Sequence, residues 1–174
     1  MTRYIFITIN LITILMLLGN CHSCHGLHRY DVGVEGDPFR PTFVISRNES
    51  SATVLIEIDS YPDRTRYWSI NWSVKGDAKL IHFVYGEVPD GFNEYIKAKK
   101  LKPYILYQVT VDDGEDAVGV GFFYIKRVKN RYKLVDLGYR TADVHGSIIM
   151  KKLIALAKKL EKIRKRKKKR KGSS

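Results

Sequence analysis

The sequence predicts an antiparallel β-sandwich followed by a basic amphipathic helix, and three observations lead there. Between residues 40 and 140, seven or so runs rich in β-branched and aromatic residues recur at spacings of about ten, with polar turns between them, which is a sandwich pattern. No stretch of that region carries a convincing helical period. At Ser147 the apolar spacing switches to that of a helix, and the charge rises with it. The chain has 174 residues, 44% hydrophobic and 11% aromatic, with eleven Tyr and seven Phe. That excludes a disordered chain and allows one domain plus extensions.

The chain opens with Arg3 and a fifteen-residue run from Tyr4 to Leu18 that is apolar apart from Thr8, Asn10 and Thr13. The length suits a signal peptide and is short for a spanning helix, which needs about 20 apolar residues. Residues 1–26 are therefore read as a signal segment, and the body as exported: secreted, or held at the cell surface or membrane. Gly19, Ser23 and Gly26 are small enough to flank a cut. Cys21, after Leu18-Gly19-Asn20, also stands where a lipoprotein signal places its lipidated cysteine, although Asn before that Cys is unusual. Lipidation at Cys21 and an uncleaved anchor both stay open. Cys21 and Cys24 are the only cysteines, so no disulfide framework staples the body. Residues 27–40, with Gly33, Gly36 and Pro38, read as a linker.

The sandwich is expected over residues 41–140. Its first strand is residues 42–46. Residues 52–58 put Val54, Ile56 and Ile58 on one face, with Thr53, Leu55 and Glu57 on the other. Residues 67–74 alternate cleanly, with Trp68, Ile70, Trp72 and Val74 opposite Ser69, Asn71 and Ser73. Lys75-Gly76-Asp77 turns into residues 79–85. A Gly/Pro/Asp-rich loop follows at 86–93, and residues 92–101 have room for one helical turn. Residues 103–112 place Ile105, Tyr107, Val109 and Val111 on one face. An acidic turn leads into 118–128, and 132–137 returns around Lys129-Asn130-Arg131.

Residues 147–171 are expected to form the basic amphipathic helix and tail. Ile149, Leu153, Leu156, Leu160 and Ile163 make its apolar stripe. From Lys151 to Lys171 there are thirteen Lys or Arg and one acid, Glu161, which is +12 of the chain's +13. The other 153 residues carry eighteen bases and seventeen acids. A charge block this dense points to a polyanionic partner. The candidate anion-binding residues are Lys158, Lys159, Lys162, Arg164, Lys165, Arg166, Lys167, Lys168, Lys169, Arg170 and Lys171. Like charges four apart, such as Lys158 with Lys162, oppose an isolated helix, and only Glu161 with Lys165 supports one, so the end is expected to fray at low salt. The stripe has three outlets: the sandwich, self-association, or a membrane interface, where Leu153, Leu156, Leu160 and Ile163 would insert. A coiled coil is disfavoured because the stripe runs under three heptads between almost uniformly cationic flanks.

Leu101-x-Pro103-x-x-x-Tyr107-x-Val109-x-Val111 is the most specific pattern in the body. It resembles the tyrosine corner of the fibronectin type III, immunoglobulin-like superfamily, over about residues 50–128. The resemblance implies that the Tyr107 hydroxyl bonds backbone a few residues upstream. It also implies that Trp72 is the buried Trp of the second family strand and Tyr85 the aromatic of the third. Two departures are visible: the interval from Trp72 to Tyr107 is short for the family, and residues 132–137 add a strand. The family is generally non-catalytic, so a binding or spacer module is implied.

Sites for chemistry are few. Cys21-His22-Ser23-Cys24-His25 fits a haem-attachment pattern and, with His28, a zinc or copper set, but it abuts the signal segment and the body is strand-rich. Asp112, Asp113, Glu115 and Asp116 cluster in one turn, where solvated acids outweigh a calcium loop. His82 and His145 have no evident partners. Asn48-Glu49-Ser50 and Asn71-Trp72-Ser73 are glycosylation sequons. No catalytic residue, metal site or cofactor is nominated, and no small-molecule substrate is evident. The expected function is a non-enzymatic exported protein whose cationic helix associates with an anionic membrane, polysaccharide or nucleic acid. The alternative is an interaction module that binds a protein partner through the sandwich, with the tail accessory.

Overall fold

Backbone pairing joins distant parts of the chain into one curled, mixed sheet. The computed structural model describes residues 29–46, 53, 55–72, 82–112, 118–138 and 147–171. The strands are β1 (Arg29–Asp37), β2 (Arg40–Ser46), β3 (Leu55–Tyr61), β4 (Arg66–Trp72), β5 (His82–Val84), β6 (Phe92–Ile96), β7 (Leu106–Asp112), β8 (Val118–Val128) and β9 (Arg131–Asp136). The single described helix, α1, spans Ser147–Lys171. The sheet order is β5-β2-β1-β8-β7-β3-β4-β6, with β9 also on β8. Every pairing is antiparallel except β1 with β8, where Arg29–Asp31 lie beside Val118–Val120. A mainly β chain with one C-terminal helix is thus what the sequence predicted, but the sheet is mixed.

The segment read as a linker, 27–40, is corrected: most of it is β1. Val32 and Val34 alternate into the core with Gly33 between them. Gly36, with its left-handed backbone (φ 84°), and Pro38 serve a tight reversal into β2 instead of an open link, while Gly33 pairs with Val44 inside the ladder. Asp37 Oδ1 closes that reversal by accepting from the backbone N–H of Phe39 (2.8 Å) and Arg40 (2.9 Å). A second difference lies at residues 92–101, where the chain forms edge strand β6 on β4 instead of a helical turn.

The sheet curls around an aromatic core. Trp68 on β4 meets Phe83 of β5 (6.1 Å between centroids) and Tyr85 (5.4 Å), although β5 begins the strand order and β4 is next to its other end. Phe43 on β2 packs on Phe83 and Phe123. The Trp assignment also changes: Trp68 is the fully buried one, while Trp72 is partly buried on Phe92. Tyr107 behaves as expected. Its ring is fully buried, and its hydroxyl accepts from Lys102 N (2.7 Å) and donates to Lys102 O (3.2 Å). Burial pushes its phenol far above the usual range. Leu101 is buried beside it in the same core. Tyr85 donates to Lys99 O (2.6 Å).

Strand β8 is buried on both faces over residues 119–123, which explains its apolar run from Phe122 to Ile125, whereas β7 alternates. Tyr107, Val109, Phe123 and Ile125 enter the aromatic core. Leu106, Val120 and Phe122 point the other way, into a second cluster closed by α1. Gly121 sits between these layers. A Cβ there would lie 2.7 Å from Val32 O and 2.9 Å from Val109 Cγ1, so only glycine lets β1 come this close.

Candidate polyanion-binding helix

The apolar stripe decides how α1 is held. Leu153 (0% exposed) and Leu160 (4%) are buried against Tyr61, Leu106, Val120 and Phe122. Ile149, Met150, Ile154, Leu156 and Ala157 pack partly buried around them. Complete burial of a leucine contributes about 1.5–3 kcal/mol. The expectation that Leu153 and Leu160 insert into a membrane is therefore corrected: the sheet already covers them. Leu156 and Ile163 are half-buried. Among the described residues no helix is long and apolar enough to cross a membrane.

Seating the stripe on the sheet turns the opposite side of α1 outward. Lys158, Lys159, Lys162, Arg164, Lys165, Arg166, Lys167, Lys168 and Lys169 are all exposed. Arg170 and Lys171 continue the helix, and their side chains lie outside the described set. The helix thus runs beyond Ile163, the point where the stripe ends. A 25-residue helix spans about 37 Å. Its cations crowd the C-terminal end, where they offset the negative pole of the helix dipole.

Two contacts organise the cationic half. Glu161 accepts from Lys165 Nζ at 2.7 Å, and this bond with the Lys165 charge holds the Glu161 carboxyl below its usual range. Lys167 donates to the Tyr104 hydroxyl and stands 4.5 Å over that ring. Tyr104 itself has a left-handed backbone (φ 62°), pinned by its N–H to Ile125 O at 2.8 Å. Its hydroxyl also accepts from Arg127 N at 3.2 Å. The sequence reading did not select Tyr104, and its only signal there was an aromatic beside Pro103.

A cleft of about 320 Å³ opens next to this region. Tyr61 at the end of β3, Asp63 and Thr65 of the β3–β4 turn, Tyr104 and Ile105 before β7, and Lys158, Glu161 and Arg164 of α1 line it. This cleft was not legible before the fold, since it joins residues about a hundred positions apart.

Elsewhere, charge is paired for structure. The Arg66 guanidinium joins Glu57 and Asp59 across β3–β4, with Nε 2.5 Å from Asp59 Oδ1. Burial pushes the Asp59 carboxyl up, while the Arg64 charge pulls it down. His82 is exposed on β5. No three His, Cys, Asp or Glu are grouped to hold a metal ion among the described residues. Asn71 is half-buried in β4, and its Oδ1 is buried with no hydrogen-bond partner among the described residues, an awkward place for a glycan. Cys21, Cys24, Asn48, His145 and acids 113–116 lie outside the described residues.

No protein-family model matches the chain. Neither a curated protein nor a solved structure matches it.

Proposed function

We propose that the protein is an exported, non-enzymatic binding protein in which an immunoglobulin-like, fibronectin type III-like sandwich presents a cationic helix to polyanionic surfaces. The observation that carries this reading is the exposure of nine Lys and Arg from Lys158 to Lys169 on a helix anchored by Leu153 and Leu160. The sandwich part is supported by the Tyr107 hydroxyl on the Lys102 backbone and by the aromatic contacts between β4 and β5. Because the sheet covers Leu153 and Leu160, the helix meets its partner peripherally, by charge and counterion release, without inserting these two leucines.

The test is binding to heparin, to phosphatidylserine vesicles and to single-stranded DNA across a salt series. If about six anionic groups are neutralised, affinity falls about a thousandfold between 50 and 200 mM salt. Replacing Lys165, Arg166, Lys168 and Lys169 together by Gln flattens that salt slope by about three units. Binding that ignores both salt and these substitutions refutes the reading. The second reading, a protein partner at a sheet edge, draws on Tyr95, which is 77% exposed on edge strand β6. Capture of a partner that is lost with Tyr95→Ala and is indifferent to salt would favour it.

A further inference from the structure

The cations of α1 border a cleft whose lining is not simply cationic. Lys158, Glu161 and Arg164 line it from α1 and Asp63 from the β3–β4 turn, so both signs are present in equal number. Glu161 is engaged by Lys165 at 2.7 Å, whereas Asp63 is an exposed carboxylate at the rim. The half-buried Tyr104 contributes most of the aromatic surface, with the edges of the buried Tyr61 and Tyr67 behind it, and Ser60 and Thr65 line the cleft with them. At about 320 Å³, the cleft lies at the lower end of the roughly 300–1,000 Å³ that small-ligand pockets occupy.

Each class of polyanion meets this lining differently. A phosphate backbone or a sheet of anionic headgroups gains from Arg164 but is repelled by Asp63. A sugar ring carries apolar C–H faces and a rim of hydroxyls that both donate and accept. It therefore suits aromatic walls flanked by a guanidinium and a carboxylate. Charged groups on the neighbouring sugars would meet cations that continue along the helix, such as Lys168, about 6 Å beyond Arg164 along the axis.

We propose that this cleft binds one sugar unit of an anionic polysaccharide whose sulfate or carboxylate groups lie along α1. The proposal rests on the polyanion reading above and names the polymer as a glycan. In it, Asp63 and Arg164 bond the hydroxyls of the enclosed unit, the tyrosines cover its face, and Lys165 to Lys169 hold the flanking charge.

Full-length protein is titrated calorimetrically with a heparin hexasaccharide, with polyphosphate and with phosphatidylserine vesicles. Two variants separate the cleft from the charge band: Thr65→Trp, which fills the cleft from an exposed position, and Asp63→Asn, which removes one carboxylate. Unchanged melting temperatures establish that both are folded. Thr65→Trp is expected to weaken the hexasaccharide about tenfold and to leave polyphosphate and vesicles within twofold. Asp63→Asn is expected to weaken the hexasaccharide while strengthening polyphosphate slightly. If Thr65→Trp leaves the hexasaccharide unchanged, or Asp63→Asn strengthens all ligands alike, the cleft proposal is overturned. Failure of the underlying reading shows separately, as affinities for every ligand that ignore the fourfold Gln substitution of the helix.

Discussion

Truncating Leu153 to Ala tests whether α1 is a seated part of the fold or a loosely tethered tail. The Leu153 side chain is fully buried between α1 and the β7–β8 surface. The substitution deletes three carbons, worth about 0.8 kcal/mol each, or about 2.4 kcal/mol of transfer free energy. The cavity left beside Phe122 and Leu106 raises the cost to about 3–4 kcal/mol, within the span of buried Leu→Ala changes. Urea unfolding followed at 222 nm reports the helix, and tryptophan fluorescence reports β4 through Trp68 and Trp72 at the aromatic core. The helix signal is expected to move to lower urea by that amount. If α1 undocks as a separate unit, the fluorescence transition stays behind. Lys159→Ala, on the exposed side, serves as the control and should stay within about 0.5 kcal/mol. A Leu153→Ala cost as small as that control would refute the seating of the helix, and with it the argument that the stripe is unavailable to a membrane.

Other consequences can be measured in the same way. Tyr107→Phe strands the Lys102 backbone groups and should cost about 1–3 kcal/mol by urea unfolding. Because the folded phenol of Tyr107 is raised, both states keep the proton below pH 10 and its contribution is intact there. Above pH 10 the unfolded chain ionises first, so stability should fall by up to about 1.4 kcal/mol per pH unit, and Tyr107→Phe should flatten that fall. Gly121→Ala forces a Cβ against Val32 O and should cost about 1–3 kcal/mol, visible as a lower melting temperature. Lys167→Ala removes the cation over Tyr104 and should cost under about 1 kcal/mol, while shifting the Tyr104 ring resonances in NMR spectra.

Much of the sheet was legible because its strands alternate. Strand β8 runs over the expected residues, and β4 and β7 differ from expectation only at their ends. Two strands were missed for opposite reasons. Gly33, Gly36 and Pro38 made β1 look like a link, although Val32 and Val34 carried the alternation. Strand β6 exposes Asn93, Glu94 and Tyr95 in succession, so an edge strand had no two-residue period to read. The charge band was plain in the sequence, since nothing about it depends on folding. The fate of the leucine stripe was not, because the surface that receives it is assembled from Tyr61, Leu106 and Phe122 on three different strands. The mixed-charge cleft was hidden for the same reason.

The parallel pairing of β1 has a consequence for the order of folding. Arg29 finds its partner at Val118, about ninety residues downstream, so this ladder closes only after most of the chain is available. Until then, among the described residues, β2 and the short β5 have no backbone route to the rest of the sheet except through β1. A growing chain would therefore stay open at its N-terminal end through most of its synthesis.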